Sequence, residues 1–375
     1  MRILHLAAFN GNIGDNASHI GLRKVLSEII QESYTIDNLE IRKFYNNYNL
    51  PDKHSFDAAF AELVNQYDLF IIGGGGFLDF WVENSVTGTT LNISNEILDL
   101  IKTPIAIISV GSIPHKEVPE GNIEKFRNFL DKLLNKKNVF IAVRNDGSKD
   151  ILNDLIGSDY ANAIPEVLDS GFFYENNGDL YKPSQKEYIL INTTSDQVLM
   201  NNREMGKIET SLYTKEMSKV VNHILKNTDK DIVFSPHIYS DYNAINQLLI
   251  NVNDYDIRTR IGITPFSQGD YGCNQIFSAY KNSSLVLGMR FHANVCSIAM
   301  NKQCIGIAAL DRITNMYKSL HLSERIVHVD REFSDELIQK IHHTIDNHLA
   351  SDIDNLTLKK EQTISLYKGI LGSLL

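Results

Sequence analysis

The chain has 375 residues, 43% of them hydrophobic, so it is long enough for two domains and apolar enough to bury a core in each. Its 36 basic and 46 acidic side chains give a net charge of −10, which excludes a broad positive surface for nucleic acid. The three cysteines, Cys273, Cys296 and Cys304, form no CxxC pair and leave one odd thiol. This usage indicates a reducing compartment, so we expect a cytoplasmic protein.

Membrane insertion is not expected from the sequence. The apolar run in residues 1–9 is too short for a signal peptide and is predicted to be a first β-strand. No stretch reaches the roughly 18 apolar residues that cross a bilayer. The expected membrane contact is therefore peripheral, at the inner membrane face.

Short β-branched runs alternate with segments of helical periodicity along the chain. We predict strands at 2–9, 69–72, 104–110 and 139–144 and, after a polar stretch from about 176 to 186, at 188–194, 231–235, 284–288, 304–309 and 325–329. Helices are predicted at 16–31 with Asp15 as N-cap, and at 122–136, 146–156, 212–227, 270–281, 292–301, 333–349 and 351–375. This order is typical of an α/β protein with two doubly wound parallel sheets, whose sites lie at the carboxyl ends of strands.

Two glycine-rich loops follow predicted strands. Residues 10–17 read NGNIGDNA and residues 73–76 are four consecutive glycines. Glycines at these positions let the backbone approach a ligand, and a helix N-terminus beyond the first loop offers N–H groups to an anion. An ordinary tight turn and a structural crossing of sheet and helix are the respective alternatives. The first loop is not GxGxxG, so NAD is disfavoured.

Three further strand ends carry candidate catalytic side chains. His115 follows the run 104–110 and Arg144 ends the run 139–144; the alternatives are an exposed loop histidine and a salt bridge from Arg144 to Asp146. Arg290 and His292 follow the run 284–288 and alternate on an extended segment, which favours an anion-binding arginine beside a proton-transferring histidine. A structural ion pair with a helix-capping histidine is the alternative. His237 is a weaker candidate, and no HExxH motif or carboxylate cluster predicts a metal.

Several spaced motifs together resemble the polysaccharide pyruvyl transferase family. They are GNIGDNA, IIGGGGFLD, SVGSIP, VRNDGS, PEVLDSGF and VLGMRFHANVCSIAMNKQCIGIA, and they span about residues 2 to 310. The resemblance implies a GT-B-like fold, with two Rossmann-like domains facing a cleft and a C-terminal helix crossing back. The domains would be residues 1–180, 181–345 and the helix 346–375. It also implies transfer of the pyruvyl group of phosphoenolpyruvate to two sugar hydroxyls, with a pyruvate ketal and phosphate as products.

The resemblance also implies roles for individual residues. His292, Arg290 and His115 are the implied catalytic residues. Arg144, Arg290, Phe291 and Gly288 are implied to bind the donor, and Asn12, Gly14, Asp15, Gly74 and Gly75 to bind the acceptor. The family's arginine is usually followed directly by aspartate, whereas Asn145 intervenes before Asp146 here.

The expected partners are phosphoenolpyruvate as donor substrate and a sugar acceptor, nucleotide- or lipid-linked, for the cell envelope; no metal or other cofactor is expected. Two other interpretations are open. A GT-B-type glycosyltransferase would use a nucleotide-sugar donor, and its base and ribose site would need a carboxylate that we do not identify. A non-catalytic sugar-binding protein of the same fold would bind ligand without releasing phosphate.

Overall fold

The computed structural model describes residues 1–45, 48, 51–176, 178, 181–200, 208–347 and 353–374. The chain forms two compact units. The first unit comprises Met1–Phe9, Arg23–Ser170 and Leu358–Leu375, and the second comprises Asn10–Leu22 and Gly171–Thr357.

The first unit contains one parallel sheet of six strands. They are β1 (Arg2–Ala7), β2 (Thr35–Glu40), β3 (Leu69–Gly75), β4 (Ile105–Val110), β5 (Val139–Arg144) and β6 (Glu166–Val167), in the order β2-β1-β3-β4-β5-β6. The helices of this part of the chain are α1 (Ile13–Ile29), α2 (Ala58–Val64), α3 (Asn95–Leu100), α4 (Asn122–Leu134), α5 (Ser148–Ile151) and α6 (Ser158–Ala163). Helix α5 continues into a π turn, Leu152–Ile156, and 3₁₀ turns lie at Ile41–Phe44 and Ser170–Phe173.

The second unit contains a second parallel sheet of six strands. They are β7 (Tyr188–Asn192), β8 (Asp231–Phe234), β9 (Ile261–Ile263), β10 (Leu285–Gly288), β11 (Cys304–Ala308) and β12 (Ile326–His328), in the order β12-β11-β10-β7-β8-β9. The helices of this part of the chain are α7 (Asp196–Leu199), α8 (Thr210–Asn227), α9 (Asp241–Leu249), α10 (Asp254–Arg260), α11 (Gly269–Asn282), α12 (Phe291–Ala299), α13 (Asp311–Ser319) and α14 (Ser334–Asn347), with a 3₁₀ turn at Ser323–Arg325. The last helix, α15 (Ile353–Leu374), follows them and belongs to the first unit from Leu358 onwards.

Both faces of the second sheet are covered by apolar packing. Ile189 and Ile191 of β7 belong to one buried cluster, and Tyr188 and Leu190 belong to another. Successive side chains of a strand point to opposite faces, so the two clusters lie on opposite sides of the sheet. The prediction of doubly wound parallel sheets is confirmed.

Helix α1 begins earlier than predicted, and its cap is a different residue. Asn12 accepts a hydrogen bond from the Gly14 backbone N–H at 3.0 Å through Oδ1, and its Nδ2 donates to Asp15 Oδ1 at 3.1 Å. The prediction of Asp15 as N-cap is wrong, because Asp15 lies inside the first turn of a helix that starts at Ile13. An acidic side chain in the first turn still interacts favourably with the positive end of the helix dipole.

The segment Asn10–Leu22 belongs to the second unit, although the sequence analysis assigned residues 1–180 to one domain. Ile13 and Ala17 are fully buried against Tyr188, Leu190 and other side chains of that unit. The Ile13 N–H also donates to the His237 carbonyl at 3.2 Å. At the other end of the chain, Leu358–Leu375 belongs to the first unit, where Thr363 Oγ1 accepts a hydrogen bond from the Leu168 N–H at 3.1 Å.

Some predicted boundaries fall on residues outside the description. These are residues 177, 179 and 180 of the predicted polar stretch, and residues 348–352 and 375 around and within the last two predicted helices. Among the described residues no helix combines the length and apolarity needed to cross a bilayer. Cys273, Cys296 and Cys304 are buried.

Candidate functional site

The Arg290 side chain lies at the topological switch point of the second sheet. Strands β7 and β10 are neighbours there, and the chain continues from each in opposite directions across the sheet. Ligands of open α/β sheets bind beyond the carboxyl ends of such strands. Thr194 follows β7 and Arg290 follows β10, and Arg290 Nη2 donates to Thr194 Oγ1 at 2.9 Å.

Arg290 is buried and charge-paired. Its Nε donates to Asp241 Oδ2 at 2.8 Å and its Nη2 donates to Asp241 Oδ1 at 2.5 Å. Nη2 also contacts Asp196 Oδ2 at 3.0 Å. Burial disfavours the cation, but the hydrogen bonds and charge of Asp241 outweigh it and raise the pKa of Arg290. The structural ion pair considered for Arg290 is therefore present, and Nη1 is the guanidinium nitrogen that donates to no residue within the described ranges.

Asp241 organises this part of the unit. Its side chain is fully buried, and Oδ2 accepts the backbone N–H groups of His237 at 2.9 Å and Ile238 at 3.2 Å as well as Arg290 Nε. Burial would raise the pKa of Asp241, yet the hydrogen bonds from Arg290 hold it below its ordinary value. A carboxylate with this many donors stays ionised.

His292 lies against the first glycine-rich loop. A Cβ added to Gly14 would stand 2.6 Å from His292 Cβ and 2.8 Å from its Nδ1, so only glycine allows this approach. His292 Nδ1 is 3.7 Å from Asp15 Oδ1. Gly14 and Asp15, predicted to bind the acceptor, thus lie beside the histidine predicted to transfer protons.

His237 is fully buried beside this group. Its Nε2 is 2.7 Å from the Tyr280 hydroxyl, and its Nδ1 has no hydrogen-bond partner in the described part of the chain. Burial lowers the pKa of His237 to about 3, with Arg290 and His292 adding to the effect of burial and Asp241 opposing it. The ring is therefore neutral at physiological pH.

Gly288 and Phe291 flank Arg290 and His292 in the chain. A Cβ on Gly288 would meet Asn294 Oδ1 at 2.7 Å, and Asn294 Nδ2 donates to the Gly288 and Arg290 carbonyls, both at 2.9 Å. Phe291 is buried, and its ring lies edge-on to the His292 ring at a centroid distance of 5.3 Å. Both residues support the loop between β10 and α12.

Three of the four consecutive glycines of the first unit end strand β3, and Gly76 follows the strand. A Cβ on Gly73 would stand 2.4 Å from the Ile108 carbonyl oxygen, and a Cβ on Gly75 would stand 2.6 Å from the Phe77 ring. Gly74 has φ +82°, a left-handed conformation that favours glycine. These close contacts are made by the neighbouring strand β4 and by the loop after β3, and not by the crossing of sheet and helix considered as the alternative.

Arg144 is buried in an ion-pair network of the first unit. Its Nε donates to Asp146 Oδ2 at 2.6 Å and its Nη1 donates to Asp169 Oδ2 at 3.3 Å. Burial opposes the cation, but these two carboxylates raise the pKa of Arg144. The salt bridge to Asp146 considered in the sequence analysis is present. His115 lies five residues beyond the end of β4 and is buried, so it is not the exposed loop histidine of the alternative interpretation.

The structure thus brings the predicted residues together in two groups. Asn12, Gly14, Asp15, Gly288, Arg290, Phe291 and His292 lie in the second unit, and Gly74, Gly75, His115 and Arg144 lie in the first. Sequence reasoning missed Asp241, Asp196 and Thr194, the partners of Arg290. A signal for Asp241 was present, since it lies four residues after the candidate His237 and begins helix α9.

Two Rossmann-like units, each with a parallel six-stranded sheet, define the GT-B class of fold. Solved structures agree. A glycosyltransferase from Rickettsia africae ESF-5 is 14% identical, with 99% of this chain and 98% of that chain covered and a TM-score of 0.56. A UDP-GlcNAc 2-epimerase from Methanocaldococcus jannaschii is 12% identical over 92% of this chain and 93% of that chain, with a TM-score of 0.54. A putative UDP-N-acetylglucosamine 2-epimerase from Listeria monocytogenes is 10% identical over 97% and 90%, with a TM-score of 0.53.

The sequence profile of the polysaccharide pyruvyl transferase family matches residues 12–311. The match covers most of the chain and runs from Asn12 past His292, so this chain belongs to the polysaccharide pyruvyl transferase family. A search of curated proteins gives no significant match.

Proposed function

We propose that the protein transfers the pyruvyl group of phosphoenolpyruvate to two hydroxyl groups of a sugar in a cell-surface polysaccharide or its precursor. The observation that carries the proposal is the family match over residues 12–311, which includes every residue of the candidate site. The placement of Arg290 and His292 beyond β10, at a switch point, supports the same conclusion.

The proposed reaction adds a proton to the methylene carbon of phosphoenolpyruvate, which becomes the methyl group of the product. The oxygen of the first sugar hydroxyl bonds to C2 and loses its proton. The bond between C2 and the phosphate oxygen then breaks, phosphate leaves, and the second hydroxyl oxygen bonds to C2 and loses its proton. Of the two hydroxyl protons, one balances the proton on the methyl group and the other leaves with phosphate.

His292 is the proposed acid and base of these proton transfers. Histidine side chains both donate and accept protons in catalysis, and His292 Nδ1 lies 3.7 Å from the Asp15 carboxylate. Gly14 fixes the ring because its missing side chain leaves the space that the His292 Cβ occupies. His115 stays a prediction as a second acid or base.

We propose that Arg290 contacts phosphoenolpyruvate through one guanidinium nitrogen and not through two. Asp241 already occupies the Nε and Nη2 donors, so Nη1 is the nitrogen proposed to reach a donor oxygen. The N-terminus of α12, which begins at Phe291, adds a favourable dipole for an anion at the same place. Arg144 forms ion pairs with Asp146 and Asp169, and its proposed role is to stabilise the first unit and not to bind phosphoenolpyruvate.

Thermal unfolding with phosphoenolpyruvate tests donor binding, because a ligand of the native state alone raises stability. We expect phosphoenolpyruvate to raise the melting temperature of the protein and of His292→Ala, which leaves Arg290 in place. We expect phosphate release, with a sugar acceptor present, to fall by roughly a hundredfold or more in His292→Ala. Near-full turnover in a folded His292→Ala protein would contradict the role of His292.

A further inference from the structure

Trp81 is the one tryptophan of the chain, and it follows the glycine run of the first unit. Its indole is partly exposed, six residues beyond the end of β3. Lys116, six residues beyond the end of β4, places its Nζ 4.2 Å from the indole centroid. Strands β3 and β4 are neighbours, so both side chains come from the edge of the sheet where α/β proteins bind ligands.

The backbone that carries Trp81 is held on both sides by one buried amide. Asn122 Nδ2 donates to the Phe80 carbonyl and to the Val82 carbonyl, both at 3.1 Å, and Asn122 is 1% exposed. These two carbonyls bracket Trp81 in the chain. The indole therefore stands on a fixed backbone even though its own ring is partly in solvent.

The segments before Lys116 and before Trp81 are also joined to each other. The Leu78 N–H donates to the Gly111 carbonyl at 3.0 Å, and Asp79 Oδ1 accepts the Ile113 N–H at 2.8 Å. The relative position of Trp81 and Lys116 is thus set by one main-chain hydrogen bond and by the Asp79 side chain, and not only by the contact between the two side chains.

The loop after Trp81 has no regular secondary structure and is held by hydrogen bonds between side-chain hydroxyls. The hydroxyls of Ser85 and Thr87 lie 3.1 Å apart and those of Thr87 and Thr89 lie 3.0 Å apart, and all three side chains are buried. Buried hydroxyls satisfied by one another and by backbone carbonyls fix a loop in one conformation. A partly exposed aromatic ring held this firmly is preorganised for binding.

The ammonium group of Lys116 is not paired with a carboxylate among the described residues. Within the described ranges no carboxylate lies at ion-pair distance from this group, which makes a cation–π contact with the indole ring. A lysine over an aromatic ring retains its N–H donors for an anion. The site thus combines an apolar ring with an uncompensated cation.

We infer that Trp81 and Lys116 bind a hexose that carries a phosphate group. The C–H face of the sugar ring packs on the indole face opposite Lys116, and the phosphate oxygens accept hydrogen bonds from the Lys116 ammonium at the ring edge. This inference rests on the proposed function, because it assigns the sugar acceptor to an anionic class and places it near His115, which precedes Lys116 in the chain. A free glycosyl phosphate and a nucleoside-diphosphate hexose share this chemistry.

Tryptophan emission tests the inference directly, because the chain has one tryptophan. The full-length protein is titrated with glucose 1-phosphate and with UDP-glucose, and separately with glucose and with inorganic phosphate. We expect a saturable emission change with a hexosyl phosphate, weaker binding of glucose, and roughly tenfold weaker hexosyl phosphate binding in Lys116→Gln. Stronger binding of UDP-glucose than of glucose 1-phosphate would assign the nucleotide-linked sugar as the source.

Lys137→Gln is the matched control, since Lys137 is an exposed lysine of the same unit at the other end of the sheet, just before β5. We expect it to bind as the unmodified protein does. The inference is overturned if no hexosyl phosphate changes the emission of the folded protein, or if Lys116→Gln binds as tightly as Lys137→Gln. The titration contains no phosphoenolpyruvate, so a failure here leaves pyruvyl transfer to a neutral sugar intact, and a failure of pyruvyl transfer leaves the titration unchanged.

Discussion

At the scale of single residues, the candidate site depends on charges that are paired inside the protein. Arg290 and Arg144 were both predicted as donor-binding groups, and both are buried in ion pairs with aspartates of their own units. The residue types and positions could be predicted, because an arginine at a strand end stands out in the sequence. The pairing with Asp241 could not, because 49 residues separate the two and only the fold brings them together.

Asp241→Asn tests the importance of this pairing. The change leaves the buried Arg290 cation without its ionised partner, so we expect the free energy of unfolding to fall by about 3–5 kcal/mol. Urea unfolding measures it. Asp254→Asn is the control, because the Asp254–Arg258 pair is exposed and should contribute little. A loss no greater than that of the control would contradict the account of Asp241.

His237 predicts a pH dependence of stability. Its pKa is about 3 in the folded protein and 6.5 as an ordinary value, so between these pH values the unfolded state binds a proton that the folded state does not. Stability is therefore fully present above about pH 6.5 and falls as the pH decreases towards 3, by about 1.4 kcal/mol per pH unit.

The variant His237→Gln removes this titration and keeps a polar partner for Tyr280. We expect the stability difference between the unmodified protein and the variant to shift by about 2 kcal/mol, against the unmodified protein, between about pH 7 and about pH 5. Denaturant unfolding of both proteins at the two pH values measures the shift. A difference independent of pH would show that His237 is not held neutral by burial.

At the scale of elements, the central strands and one edge strand, β12, could be predicted, whereas the edge strands β2, β6 and β9 could not. Strands β1, β3, β4, β5, β7, β8, β10 and β11 are apolar runs, because a central parallel strand is buried on both faces. Strand β2 has the sequence TIDNLE and mostly exposed or half-buried residues at the edge of its sheet, so no apolar run marks it. Strands β6 and β9, with two and three residues, are too short for a pattern.

The glycine-rich loop and the first turn of helix α1 contact the candidate site. The first glycine-rich loop was expected to let the backbone approach a ligand, and in the structure the group that Gly14 approaches is His292. This contact could not be predicted, because the two residues are 278 positions apart in the chain. Gly14→Ala puts a Cβ where His292 stands, so the histidine must move.

We expect Gly14→Ala to lower turnover by roughly a hundredfold while the protein still unfolds cooperatively. Phosphate release from phosphoenolpyruvate and thermal unfolding measure the two effects. Gly369→Ala is the matched control, because Gly369 lies in α15 with no atom near its Cβ position; it should keep full activity. Equal activity of both variants would contradict the packing role of Gly14.

At the scale of the whole molecule, each of the two units is built from segments that are not consecutive in the chain. Asn10–Leu22 belongs to the second unit and Leu358–Leu375 belongs to the first. The family resemblance implied a C-terminal helix crossing back, whereas the place of Asn10–Leu22 was not expected. The consequence is functional. The glycine-rich loop that the sequence analysis gave to the acceptor side lies beside His292, and the second glycine run stays in the first unit with His115, Trp81 and Lys116.

The proposed reaction forms a pyruvate ketal from phosphoenolpyruvate. Its most direct test is the mass of the sugar product after incubation with phosphoenolpyruvate and hexosyl phosphate and neutral sugar acceptors, with nucleotide sugars as alternative donors. The account predicts a product heavier by one pyruvic acid minus one water, together with one phosphate released per product and loss of both in His292→Ala. A product heavier by a hexosyl unit, formed from a nucleotide sugar and unaffected by phosphoenolpyruvate, would contradict it.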